Sequence, residues 1–403
     1  MPVSLRDEFP ILSTKMNGRP LIYLDNAATL QPPKAVLDTV NELYCAYNGN
    51  VHRSGHALGR AASERMEDAR ETVRRFLNAA HCEEILFTSG TTGSINLLAQ
   101  IYAEQVLRPG DEVITTELEH HSNLLPWAAA CERSGAALRI APMDENGDLD
   151  LDAYRGMLCE KTRLVAMGWV SNAIGTVNPV GEMIRDAHAV GAAVLVDAAQ
   201  AMLHGETDVQ ALDCDFLAFS GHKVGALTGI GVLYARLERL EGFAPVCFGG
   251  GMVRAVRGTR AEYASLPHRF EAGTPNYVGA VSLGAALSWL EQQGRERLAA
   301  DAEKLLRATE AILSQAGVRV LGKPRRRAGA VSFAAEGVHP YDLAQVLDQM
   351  GVAVRSGHHC AQNAVNHFGV EHSVRVSPAF YNTEEELIRF GEALDRSLSL
   401  LRR

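Results

Sequence analysis

Asp215-Phe216-Leu217-Ala218-Phe219-Ser220-Gly221-His222-Lys223, followed by Thr228-Gly229-Ile230-Gly231-Val232-Leu233-Tyr234, decides how this chain is read. An apolar run of strand length ends on a hydroxyl, an imidazole and an amine, and a second such run follows within ten residues. An amine at the end of a buried strand, beside such groups, can hold an aldehyde cofactor as a Schiff base. A lysine alone is ordinarily a solvated surface charge, so the other parts of such a site have to be found elsewhere in the chain.

Asp197 ends the apolar run Gly191-Ala192-Ala193-Val194-Leu195-Val196. A carboxylate there is costly to bury without a positive partner, and a protonated pyridine nitrogen is one. The alternative is a helix N-cap before Ala198-Ala199-Gln200. The spacing of Asp197, Gln200, Ser220, His222 and Lys223 over two successive strand ends favours a ligand site, since open parallel sheets bind ligands where their strands terminate. Upstream, Glu84-Ile85-Leu86-Phe87-Thr88 reads as a strand. Ser89-Gly90-Thr91-Thr92-Gly93-Ser94 then leads into a helical pattern, either a phosphate cradle or an ordinary capping turn. Glu119-His120-His121-Ser122-Asn123 offers an imidazole able to stack on a pyridine ring.

A second centre is Arg355-Ser356-Gly357-His358-His359-Cys360-Ala361-Gln362. Arg355 ends the short apolar strand Gly351-Val352-Ala353-Val354 and suits a substrate carboxylate. Cys360 lies in a polar loop beside two imidazoles, surroundings that favour an accessible thiolate. A metal site is not expected here: His358, His359 and Cys360 are sequence neighbours, which rarely point at one ion, and no CxxC or HxxxH spacing supports one at this loop.

With these residues in view, the chain resembles the group II (SufS/CsdA-like) cysteine desulfurases, fold type I pyridoxal phosphate (PLP) enzymes of aminotransferase class V. The resemblance runs from Tyr23-Leu24-Asp25-Asn26-Ala27-Ala28 to Arg375-Val376-Ser377-Pro378-Ala379-Phe380-Tyr381-Asn382-Thr383. Its most specific pieces are Ser220 to Lys223, Arg355 to Cys360, Val51-His52-Arg53 and Phe270-Glu271-Ala272-Gly273-Thr274-Pro275-Asn276. It implies an α/β fold, a large domain with a mostly parallel seven-stranded sheet plus a smaller α+β domain. It implies Lys223 as the cofactor lysine and proton shuttle, Asp197 on the ring nitrogen, Gln200 on the ring oxygen and His120 stacked on the ring. Thr91, Thr92, Ser220 and His222 would bind the phosphate, and Thr274 would do so from the partner subunit. Asn172 would lie between cofactor and substrate, Arg355 and Arg375 would clamp the carboxylate, and Cys360 would take the sulfur as a persulfide. The implied function is conversion of L-cysteine to L-alanine in a homodimer that supplies sulfur for iron-sulfur cluster assembly through a SufE-like acceptor protein. Selenocysteine lyase, another α-amino acid PLP enzyme and a catalytically silent scaffold are the alternatives. Departures from the family pattern are Gly93 where an acidic residue is usual, Val224-Gly225-Ala226-Leu227 without the usual proline, and Asn363 in place of a proline.

Composition agrees. At 403 residues and 47% hydrophobic, the chain can bury two sizeable cores. A formal net charge of -9 speaks against nonspecific nucleic-acid binding, and Arg325-Arg326-Arg327 reads as a solvated turn. Seven irregularly spaced cysteines suggest a reducing compartment; all but Cys360 are expected to be packing residues. No apolar signal core or span of ~20 residues appears, so a cytoplasmic protein without membrane contact is expected. Strands expected near residues 85, 113, 138, 164, 193, 216 and 231 belong to a large domain over 20-290. Residues 1-19 and 291-403 would form the smaller domain, and one long helical run from about Val278 to Gln315 would lead into it.

Overall fold

The computed structural model describes residues 5-52, 55-205 and 207-402, so Arg53 of the Val51-His52-Arg53 motif lies outside the described residues. Seven strands form the central sheet: β1 (Ile85–Thr88), β2 (Glu112–Thr116), β3 (Ala137–Ala141), β4 (Thr162–Gly168), β5 (Ala193–Asp197), β6 (Phe216–Ser220) and β7 (Gly231–Ala235). Their order is β1-β7-β6-β5-β4-β2-β3, and only β7 runs antiparallel to its neighbours. Only ten residues separate β6 from β7, too few for the crossover a parallel return needs. Every residue of β5 and β6 is buried, which explains their unbroken apolar runs.

Gly231 of β7 pairs with both Thr88 and Ser220 and thereby brings the ends of β1 and β6 together. A side chain there would stand 2.4 Å from the Cα of Gly90, so only glycine allows this approach. Beside the Ser220 end, parallel pairing lines up Asp197 and Gly168 at the same edge of the sheet.

Helix α1 (Ala57–Phe76) and helix α2 (Thr91–Ile101) pack on the sheet. The expected single helix after Val278 is two, α3 (Tyr277–Gln293) and α4 (Arg295–Gln315). They break at Gly294, whose φ of +83° lies in the left-handed region. A second sheet, all antiparallel, has the order β8-β9-β11-β10 from β8 (Arg319–Val320), β9 (Val331–Ala334), β10 (Arg355–Gly357) and β11 (Ser373–Val376). Helix α5 (Pro340–Gln349) and helix α6 (Glu384–Leu401) cover it, and Thr383 closes a capping box with Glu386 at the start of α6.

Packing of the N-terminal segment divides differently from the expected boundary. Phe9 and Leu12 sit in the large-sheet core, Phe9 with Trp289 (ring centroids 5.4 Å) and Tyr381 (4.5 Å). Ile22 and Leu24 instead enter the smaller core with Phe333, Val376 and Phe390, because Ile22–Tyr23 pairs in parallel with Val352–Ala353. Helix α4 bridges the two, with Leu298 and Ala302 in the larger core and Leu305 and Leu306 in the smaller.

Two smaller expectations are corrected. Arg327 is not solvated: its guanidinium is buried against Glu310 (2.8 Å) and donates to the Gly322 carbonyl (2.7 Å). Cys131 and Cys214 are buried packing residues, but Cys45 and Cys247 are exposed.

Arg70 of α1 is 1% exposed and donates bidentately to Glu271 at 2.8 and 2.9 Å, joining α1 to the loop before α3. Burial would raise the Glu271 pKa, but His268, Arg70 and the Phe87 amide outweigh it and hold the carboxyl at about 2. The resulting stability is present above the ordinary carboxylate range and lost as pH falls toward 2. Glu271→Ala leaves a buried guanidinium short of its partner and is expected to cost roughly 3–5 kcal/mol. Lys34→Ala, which breaks only an exposed pair with Asp38, should shift stability by no more than ~0.5 kcal/mol. Denaturant unfolding of the two variants beside the parent measures the contrast.

Candidate active site

One cavity of about 430 Å³ opens at the ends of β4, β5 and β6 and is closed from above by the loop after β10. Thr91, Thr92, His120, Asn172, Asp197, Gln200, Ser220, His222, Lys223, Arg355, Cys360 and Arg375 all line it. Thr274 does not; it is exposed on the loop before α3, away from this chain's cavity.

At one end of the cavity hydroxyls gather around the N-terminus of α2. Ser220 Oγ accepts from the Thr91 amide (2.8 Å) and pairs with Thr91 Oγ1 (2.7 Å), while Thr92 Oγ1 pairs with Ser122 Oγ (2.7 Å). Such convergence at a helix start suits a phosphate. His222 stands beside it, its Nδ1 3.2 Å from Thr29 Oγ1, and burial pushes its pKa down to about 4, so it is neutral.

Across the middle of the cavity, Asp197 is 8% exposed and accepts from the Ala199 amide (2.9 Å). Burial pushes its pKa up, opposed by that amide and by the charge of Lys223, the balance of a carboxylate that wants a cationic partner. His120 is fixed by the Ser122 amide donating to its Nδ1 (3.0 Å). Burial and then Lys223 push its pKa to about 3, which leaves a flat, uncharged ring. Gln200 is held by donation to the Ala27 carbonyl (2.7 Å). Together a carboxylate, a neutral ring, an amine and an anion cradle fit a phosphorylated pyridine aldehyde.

Lys223 meets the cavity between these groups. Desolvation lowers its pKa to about 8; Asp197 opposes the shift, whereas Arg375 and Arg355 reinforce it.

At the far end the two arginines face one another in register across β10 and β11. Like charges directly opposite repel, so the pair calls for an anion. Arg375 is 1% exposed and spends two donors on Asp25 (2.9 Å) and the Asn172 carbonyl (2.9 Å), while its buried Nε has no partner. Arg355 is exposed to the opening. A carboxylate fits this clamp.

The Cys360 loop is held from the opposite side of the cavity. His121 donates its amide to the Cys360 carbonyl (2.7 Å), and Asn172 Nδ2 donates to the His359 carbonyl (2.6 Å). His359 and Cys360 take φ of +55° and +54°, left-handed values that are rare outside glycine. His359 is anchored by Ser373 Oγ at 2.9 Å, and Cys360 remains exposed.

Several contributors were not singled out from sequence. Glu119 is buried, accepts from Thr116 Oγ1 (2.6 Å), Asn123 Nδ2 (2.6 Å) and the Gly168 amide (2.9 Å), and ties the His120 loop to β4. Burial raises its pKa to about 7. An acid directly before the His pair was its signal. Ser122, two residues past His120, was similarly in view, whereas Asp25 and Thr29 reach the site only through tertiary folding. At Gly93 an added side chain would meet Ser89 Oγ at 2.5 Å.

The profile of the aminotransferase class-V family matches residues 22–390. A cysteine desulfurase of Synechococcus elongatus is 47% identical over 97% of this chain, which spans 63% of that longer relative. A probable cysteine desulfurase of Halalkalibacterium halodurans is 44% identical, covering 96% of both chains. Among solved structures, the apo cysteine desulfurase of Thermococcus onnurineus superposes with a TM-score of 0.93 at 38% identity. CsdA of Escherichia coli does so at 0.91 and 38%; each covers 98% of both chains.

The lowered Lys223 pKa sets a pH window. Covalent capture of pyridoxal phosphate by the cofactor-free protein needs the neutral amine. Its rate is therefore expected to rise about tenfold per unit below pH 8 and to flatten above it, when followed by absorbance on mixing. Asp197→Asn removes the charge that holds the proton on, so the inflection should move down; an inflection near 10.5 would contradict the desolvated site.

Proposed function

The chain belongs to the aminotransferase class-V family and is a pyridoxal phosphate enzyme, and on that premise we propose that it converts L-cysteine to L-alanine as a cysteine desulfurase. The observation that carries this reading is the exposed Cys360 thiol on the same cavity as Lys223, in a loop fixed from the opposite wall. In an amino-acid PLP enzyme that needed no thiol, such a strained placement would have no purpose.

The cofactor would be held by Thr91, Thr92, Ser220 and His222 at its phosphate, Asp197 and Gln200 at its ring, His120 on its face and Lys223 at its aldehyde. Bound there, pyridoxal phosphate supplies an electron sink for the pair released at the substrate α-carbon. Arg355 and Arg375 grip the substrate carboxylate, with Asn172 between it and the cofactor, and so turn the side chain toward Cys360. Lys223, whose burial lowers its pKa to about 8 and so makes the neutral amine far more accessible than in an ordinary lysine, takes and returns the proton at the α-carbon. The Cys360 thiolate attacks the substrate sulfur, a sulfur-sulfur bond forms and the carbon-sulfur bond breaks. Its electron pair stays with the β-carbon, which is protonated to give alanine, and the transferred sulfur remains on Cys360.

The protein acts as a homodimer in which Thr274 completes the partner's phosphate site; its exposure outside its own chain's cavity supports this. The persulfide passes to a SufE-like acceptor thiol and on to iron-sulfur cluster assembly. Seven cysteines with no disulfide fit a reducing cytoplasm, and no described helix is long and apolar enough to cross a membrane.

Alanine and sulfide release from cysteine, compared between parent and Cys360→Ala, tests the assignment. The variant is expected to lose at least ~100-fold in turnover with cysteine, and the parent's Cys360 peptide should gain one sulfur by mass spectrometry after brief exposure. Unchanged cysteine turnover without that added sulfur would favour a selenocysteine lyase or another amino-acid PLP enzyme. In light scattering, the parent should run as a dimer.

A further inference from the structure

Away from the cavity, the turn after Val51, the helix α1 and the loop before α3 bring two imidazoles and a carboxylate to one point. His52, Glu67 and His268 each offer a ligand atom, all within 4.8 Å of one another, and the two rings stand edge to face with centroids 5.0 Å apart. We propose that these three residues bind a divalent transition-metal ion, zinc by the chemistry of the donors, at a site distinct from the active centre.

Two nitrogens and one carboxylate oxygen are a donor set that zinc takes with water as its fourth ligand. A tetrahedral ion about 2.1 Å from each donor wants them roughly 3.4 Å apart, a closure that side-chain rotation supplies. The surroundings are arranged as metal sites require. His268 turns Nδ1 toward Glu271 Oε2 at 3.7 Å, the carboxylate that commonly orients a ligating imidazole, and this leaves Nε2 for the ion. Glu67 is steadied by Arg70 Nε on Oε2 (2.8 Å), while its Oε1 receives only a long 3.4 Å contact and keeps a lone pair to give.

His52 is preset. Its φ of +69° is left-handed, uncommon for a side-chain-bearing residue, and its amide is pinned to Ser63 Oγ at 2.7 Å. Two carboxylates, Glu67 and Glu271, face one guanidinium, Arg70, while Arg254 on the adjoining cavity wall is paired with Glu262 at 2.8 Å. A cavity of about 300 Å³ bordered by His52, His268 and Gly273 admits ion and water. Bound metal would clamp the loop carrying Gly273 and Thr274 onto α1.

The test is a titration of the holoenzyme with Co²⁺ and then Zn²⁺, in the parent and in Cys360→Ser so that thiols are accounted for. One Co²⁺ per chain is expected, with visible d-d bands, no sulfur-to-cobalt charge transfer, and displacement by zinc. His268→Ala, His52→Gln and Glu67→Gln should each weaken binding by at least ~10-fold. His52→Gln, on a surface turn, decides the matter should His268→Ala fold poorly by circular dichroism. Binding that is absent, unchanged in His52→Gln, or thiolate in spectrum would overturn the site.

Discussion

Burial of the Arg375 guanidinium is the constraint on which the rest of the arrangement hangs. A cation 1% exposed cannot rely on water, so its donors must be met by protein. One goes to Asp25 in the N-terminal segment and one to the main chain at Asn172 after β4, which draws three distant parts of the chain to one point. The bridge between Asp25 and Ser377 and the Ile22–Tyr23 pairing follow the same seam. What is left over, an unpartnered Nε and a second arginine directly across the strand pair, is positive charge that calls for an anion, and the proposed reaction would supply one as the substrate carboxylate.

The same economy governs the middle of the cavity. Asp197 and Lys223 are each pushed toward neutrality by desolvation, and each pulls the other back toward its charged form. His120 and His222 are kept uncharged beside them, so the amine has no competing proton donor among its nearest rings. Low dielectric makes every one of these interactions stronger than it would be in water, and a pyridinium placed against Asp197 would restore the balance.

Much of this was legible in the sequence because strand ends announce themselves. An apolar run that stops on Asp197 or Ser220 gives both the strand and the direction of its terminus, and all seven central strands fall where such runs stand. The helix after Val278 was misjudged because Gly294 interrupts a pattern that stays apolar on either side. The N-terminal segment is harder to place from sequence because one short stretch serves two cores: Phe9 packs among Trp289, Phe380 and Tyr381, and Ile22 finds a pairing strand beside the small sheet. Glu119 escaped because a buried acid with three hydrogen bonds looks, in sequence, like any surface glutamate.

The Cys360 loop shows why geometry adds to motif. Two successive left-handed residues that both carry side chains cost on the order of 1–3 kcal/mol each, and would relax without external ties. Those ties come from His121 and Asn172 on the large sheet and from Ser373 on the small one, so the loop holds its shape only while both sheets hold theirs. Gln362 adds a fourth, its amide donating to His121 Nε2 at 3.3 Å. Because Asn172 also lends its carbonyl to Arg375, the residue that helps set the carboxylate clamp also sets the loop bearing the thiol. The Arg375 guanidinium and the Cys360 loop are thus fixed against one another through a single side chain and its own peptide, and under the proposed reaction this would keep both ends of a small amino acid in register.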